Sequence, residues 1–218
     1  TLKAYRDIEL SEVDRALDDV LRIVLSEPRE SVRIYGMMRY GNVLCGHGRA
    51  GPGLAYLHYK DRAPAMVSRR VGLFNNEANA LIMGVWANFL RTGTREHFFL
   101  ARDYGLAVAD VATVHAHPRE PGEVGLMHYH NANQWTGGPS ASHTLLTGLL
   151  CGYYFAGDRR ILEVACEAAD RAVRTQEPAG ILSCRHGILH REFTGPLWSL
   201  MEAYRATWRE DYGALASR

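Results

Sequence analysis

The chain has 218 residues, 47% of them hydrophobic and 22% charged, and a formal net charge of +1. This is the composition of an ordinary globular domain and excludes disordered or collagen-like sequence. A charge so near zero makes no field that would gather nucleic acid or a membrane surface, so an acidic ligand has to be met by a local cluster of Arg and His.

A chain of this length buries roughly 70% of its unfolded surface on folding, which predicts one domain over residues 1–218. No apolar run approaches the roughly 20 residues that cross a bilayer, so neither nucleic acid nor a membrane is an expected partner. Cys45, Cys151, Cys166 and Cys184 are widely spaced and form no CxxC pair. Each is therefore expected as a buried or free thiol. The opening at Thr1 and the ending at Ala216-Ser217-Arg218, at the expected start of a further element, predict a fragment or a matured chain.

In chain order, the first predicted element is an amphipathic helix over Ser11–Leu25, with Ser11 as N-cap and Asp14 three residues on. The next is a helix over Asn75–Thr92, whose Ala80, Leu81, Met83, Gly84, Ala87, Phe89 and Leu90 share one apolar face. Gly93 supplies its left-handed end, and Thr94 opens a second helix, with Glu96 and Asp103 in its first half, that runs to roughly residue 114. The same pattern recurs: Ser140–Ala156 reads as an apolar helix, Gly157 ends it, and Asp158 caps a partner continuing to Gln176. Phe89 to Arg95 aligns on Tyr153 to Arg159, so that aromatic, Gly, cap and Arg coincide. A third copy begins at Gly195–Trp208, with Pro196 expected in its first turn. The predicted fold is all-α, an array of antiparallel helical hairpins.

Connections within hairpins are tight, whereas those between hairpins, at about 46–74, 116–139 and 177–194, are long and rich in Gly, Asn, His and Arg. Loops of that length are uncommon unless functional, which assigns chemistry to the end where they meet. His47, His58, His115, His117, His128, His130, His186 and His190 fall in or beside these connections, and His143 falls in a predicted first helical turn. Only His97 lies within a short-loop pair; for His47, His58, His97 and His115 the expected role is structural.

Three patches stand out. His128-Tyr129-His130-Asn131-Ala132-Asn133-Gln134-Trp135, followed by His143, combines acid/base groups, amide donors and an indole ahead of a helix start. Its plain alternative is a glycine-rich loop whose His and Asn satisfy backbone groups. Asn75-Asn76-Glu77 sets two carboxamides and a carboxylate at an inner-helix start, where capping is an equal reading. Cys184-Arg185-His186-Gly187 and His190-Arg191-Glu192 supply guanidinium forks suited to carboxylates. The chemistry requires no cofactor. A divalent metal held by His128, His130 and His143 is the alternative, although no HExxH or paired CxxC accompanies them.

Alternating helical hairpins, a His-rich loop before Gly138-Pro139-Ser140-Ala141-Ser142-His143, and the Tyr153-Tyr154-Phe155-Ala156-Gly157-Asp158 turn together resemble the six-hairpin (α/α) toroid enzymes that act on glycans. Asn75-Asn76-Glu77 and His128-Tyr129-His130 make exo-acting rhamnogalacturonan lyases the nearest likeness, over roughly residues 35–212. The resemblance implies cleavage of an acidic, uronate-containing polysaccharide or oligosaccharide by β-elimination. In that scheme His128 or His130 is the base and Tyr129 or His143 the acid. Asn75, Asn76, Glu77, Asn131, Asn133, Trp135, Arg185, His186 and Arg191 would hold the substrate. About three hairpins are legible where a complete toroid has six, and the β-domains the resemblance implies are missing. The chain is thus expected to be completed by further domains or by oligomerising, since uncapped repeat ends expose apolar faces. Competing expectations are a six-hairpin glycoside hydrolase, for which Glu77, Glu120, Glu123 and Glu192 are the available acids, and a non-catalytic carbohydrate-binding module.

Overall fold

A computed structural model of the chain describes residues 82–130, 136–176 and 190–218, the strands Val43–Gly46 and Val71–Phe74, and the helical positions Glu12, Asp14, Arg15 and Asp18. Side chains are described at those four positions and over 82–128, 139–176 and 194–218.

The described residues are mostly helical. Six α-helices follow one another: α1 Met83–Thr92, α2 Arg95–Ala107, α3 Thr147–Ala156, α4 Arg159–Thr175, α5 His190–Thr207 and α6 Glu210–Ala216. They pack as the consecutive pairs α1/α2, α3/α4 and α5/α6, and α3 lies between α1 and α5 while α4 lies between α2 and α6. The short connections are dictated locally. Gly93 and Gly157 each take φ 68°, the left-handed conformation that ends α1 and α3. The Asp158 side chain then accepts the Arg160 N–H and caps α4. Thr94 opens α2 in extended conformation without a side-chain cap.

Burial explains the pairing. Trp86 of α1 is enclosed by the rings of Phe89, Phe98 and Phe155, centroids 6.1, 5.4 and 5.5 Å away, which ties α1 to α2 and α3. Ile161 fills a notch that exists because Gly152 and Gly105 lack side chains; a Cβ on Gly152 would lie 2.4 Å from its Cδ1. The small buried face of α4, formed by Ala165, Ala168, Ala169 and Ala172, lets α5 and α6 approach closely. Tyr212 anchors α6: its hydroxyl donates to Asp170 at 2.8 Å, and Arg209 pairs with the same Asp170 at 2.7 Å while lying over the Tyr212 ring. Burial, with Asp170 adding to it, raises the Tyr212 phenol above its usual range. Tyr212→Phe keeps the ring and loses this bond, so urea unfolding is expected to show about 1 kcal/mol less stability. At the other end Arg91 pairs with Asp14 and Asp18. These helical positions agree with an N-terminal helix, although its predicted cap Ser11 lies outside the described residues.

Several boundaries differ from expectation. Two antiparallel ladders interrupt the all-α pattern: β1 Val43–Gly46 with β2 Val71–Phe74, and β3 Met127–His130 with β4 Thr136–Ser140. β3 and β4 thus form a ladder within what reads as loop. The third-helix prediction started too early: Ser140 ends β4, Ala141–His143 form a 3-10 turn, and α3 begins only at Thr147. Side chains compete with helix there, since the Thr144 hydroxyl donates to Ser140 O and also receives the Met127 N–H, both at 2.9 Å. The second helix passes from α-form at Ala107 into a π-helical turn, Val108–Ala112, with Thr113 Oγ1 donating to Val108 O. Pro196 lies inside α5 rather than in its first turn. The helix that pairs with the third copy is α6, seven residues long. Cys151 and Cys166 are free, partly buried thiols.

Gly125 closes the loop before β3. It has φ +98°, and a Cβ there would lie 2.7 Å from Glu167 O and 3.2 Å from Ala168 Cα on α4. Gly125→Ala is expected to cost about 2 kcal/mol or more in thermal or urea unfolding, because both the left-handed backbone and the packed helix oppose it.

Candidate functional site

The β3/β4 hairpin carries three of the four proposed acid/base groups. Its register pairs Met127 with Ser140, His128 with Pro139, Tyr129 with Gly137 and His130 with Thr136, which leaves Gly138 as an extra residue opposite the His128/Tyr129 step. A bulge of this kind re-aims the strand, and the Gly-Gly-Pro sequence favours it because Pro139 has no N–H for a ladder. Met127 is fully buried and bridges to Thr113, so alternation puts the neighbouring His128 on the opposite, partly open face. Burial lowers the His128 pKa from its ordinary 6.5, against a smaller opposing pull from Glu123. The ring is therefore neutral, with a basic nitrogen, at neutral pH.

The 3-10 turn Ala141–His143 packs against β3 on one side and α5 on the other. Ser199 Oγ of α5 donates to Thr144 O at 2.7 Å, and Gly195 of α5 lies so close that a Cβ there would be 3.3 Å from Ser142 Cα. His143 is half-buried, with Nδ1 2.9 Å from Ser142 Oγ. It stands in this turn, not in a first α-helical turn as the sequence suggested. The fold thus gathers β3, with His128, Tyr129 and His130, the turn with His143, and α5, whose first residues include Arg191. The side chains of Tyr129, His130 and Arg191 lie outside the described residues, as do Asn75, Asn76, Glu77, Asn131, Asn133, Trp135, Arg185 and His186.

His115, expected to be structural, is hydrogen-bonded at both ring nitrogens. Nδ1 is 2.6 Å from Glu167 Oε2, and Nε2 is 2.7 Å from Ala109 O. With Arg160, which pairs with Asp110 at 2.7 Å, it links the π-helical turn to α4. Among the described residues, no group of three or more His, Cys, Asp or Glu is placed to hold a metal. No helix of the described residues is long and apolar enough to cross a membrane.

One feature escaped the loop-centred reading of the sequence. Tyr154 and Phe155 of α3 and Trp198 and Met201 of α5 are exposed on neighbouring helices. The mostly buried Glu202 carboxylate beside Trp198 accepts from its Nε1 at 3.3 Å and from Arg205 Nη1 at 2.9 Å. Burial, with Glu202 adding to it, raises the Cys151 and Tyr154 pKa values, so neither group is an activated nucleophile. The signal was available in the i, i+4, i+7 spacing of Trp198, Glu202 and Arg205, which puts an aromatic, an acid and a base on one helix face. A separate hollow between the 3-10 turn, α4 and α5 is lined mainly by apolar groups such as Leu126, Ala172, Pro196 and Leu200.

Comparisons with protein-family models, curated proteins and solved structures found no match.

Proposed function

We propose that this chain is an arc of an (α/α) toroid and that it cleaves a uronate-containing polysaccharide by β-elimination. One observation carries the reading: His128, its pKa lowered by burial, stands on a bulged strand packed against the turn that bears His143. β-Elimination needs a neutral base beside the acidic proton of the uronate and a proton donor for the departing oxygen, and two imidazoles on adjoining elements suit that division. In this scheme His128 or His130 removes the proton, and His143 or Tyr129 protonates the leaving group. The charge that builds up on the carboxylate needs donors, which Asn131, Asn133, Arg185 and Arg191 would supply, each contributing about 3 kcal/mol where well placed. Asn75, Asn76, Glu77, Trp135 and His186 complete the proposed substrate contacts.

The consecutive packing of α1, α3 and α5 along one side and of α2, α4 and α6 along the other supports the toroid reading. The exposed rings of Tyr154 and Trp198 beside Glu202 support a carbohydrate ligand, since aromatic faces stack on sugar rings and a carboxylate accepts hydroxyl groups. They would serve a binding module equally well.

Incubation with uronate-containing polysaccharides tests the proposal through the ultraviolet absorbance of the unsaturated product. New reducing ends without that absorbance would favour a hydrolase, and binding without either would favour a module. Chelation with and without added divalent metal decides whether one is needed.

A further inference from the structure

Ser142 is a buried hydroxyl that the proposed chemistry leaves unused. Only 4% of the residue is exposed, yet Oγ lies 2.9 Å from His143 Nδ1 and 2.8 Å from Ser140 Oγ. The backbone beneath it is held from three sides. Gly195 of α5 abuts Ser142 Cα, Thr144 Oγ1 joins Ser140 O to Met127 N, and Ser199 donates to Thr144 O. The hydroxyl pair is therefore a built feature of the turn, facing one nitrogen of a half-buried imidazole.

We propose that Ser142 is a positioning residue for His143. Its oxygen accepts the Nδ1–H, and its own proton goes to Ser140 Oγ. Which nitrogen of an imidazole carries the proton is set by the bond the other nitrogen makes. A hydroxyl that accepts at Nδ1 keeps that proton in place in both the neutral and the charged ring, so that protons enter and leave at Nε2. The same bond fixes the ring plane. The inference rests on the reading above in giving His143 a proton-transfer role, but the tautomer is a property of the protein alone.

The test is nitrogen-15 NMR of the labelled full chain, which reports the His143 tautomer, alongside kinetics on a uronate polysaccharide. The wild type is expected to show neutral His143 as the Nδ1–H form, and Ser142→Ala to shift it toward the Nε2–H form that free imidazole prefers. Ser140→Ala, which keeps the 2.9 Å contact, should shift it less. Turnover in Ser142→Ala should fall by about 10- to 100-fold, as for other partners that orient an imidazole, with KM nearly constant and the pH profile displaced. A wild-type Nε2–H tautomer, or no tautomer change in Ser142→Ala, would overturn the proposal. A tautomer change with unaltered turnover would uphold the positioning and instead remove His143 from the proposed reaction. Melting of both variants separates loss of fold from loss of orientation.

Discussion

Under the proposed β-elimination, replacing His128 by Ala is expected to reduce formation of the unsaturated uronate by about 10²- to 10⁴-fold, the usual contribution of a general base. The pH dependence adds a sharper mark. Burial holds the ring below its ordinary value of 6.5, so the base is already neutral there and the acid limb of kcat/KM should lie below that pH. His128→Ala should remove that limb from whatever activity remains, and an unchanged limb in the variant would refute the assignment. The folded ring binds its proton less readily than the unfolded chain does, so acid favours unfolding, and this contribution is lost as pH falls through and below about 6.5. On acidification the urea midpoint of the wild type should fall relative to that of the variant, because the variant lacks that penalty.

Trp86→Ala is expected to destabilise the protein by about 3–5 kcal/mol, enough to leave a marginal domain largely unfolded at ambient temperature. Trp86 is 1% exposed and holds α1, α2 and α3 together through Phe89, Phe98 and Phe155. Its indole nitrogen is buried with no hydrogen-bond partner among the described residues, so Trp86→Phe loses packing but relieves that donor. That variant should cost clearly less than the Ala change, and equal losses in denaturant titrations would show that the ring cluster does not set the hairpin packing.

The placement of the candidate residues was legible only in part. The grouping of His128, Tyr129 and His130 with His143 followed from residue types, and the fold brings their segments together through β3, the 3-10 turn and α5. That β3 pairs with β4 was not readable, because Gly137-Gly138-Pro139 signals a loop unless a partner strand is known. Trp198 and the Glu202 carboxylate beside it stand on a helix face, outside the loops to which residue types assign chemistry, and they become neighbours of α3 only once the helices have packed. Asn75, Asn76, Glu77 and Arg185 stay as proposals drawn from the sequence.

The sequence by itself determined where helices stop and restart. A left-handed φ at Gly93 or Gly157 and a carboxylate cap at Asp158 depend only on residues within one turn. Tertiary structure alone decided that Ser142 is buried beside His143, that Pro196 is carried within α5, and that α3 begins at Thr147. Those outcomes depend on contacts such as Ser199 Oγ to Thr144 O, made across 55 residues, whose free energy exists only once the helices have packed.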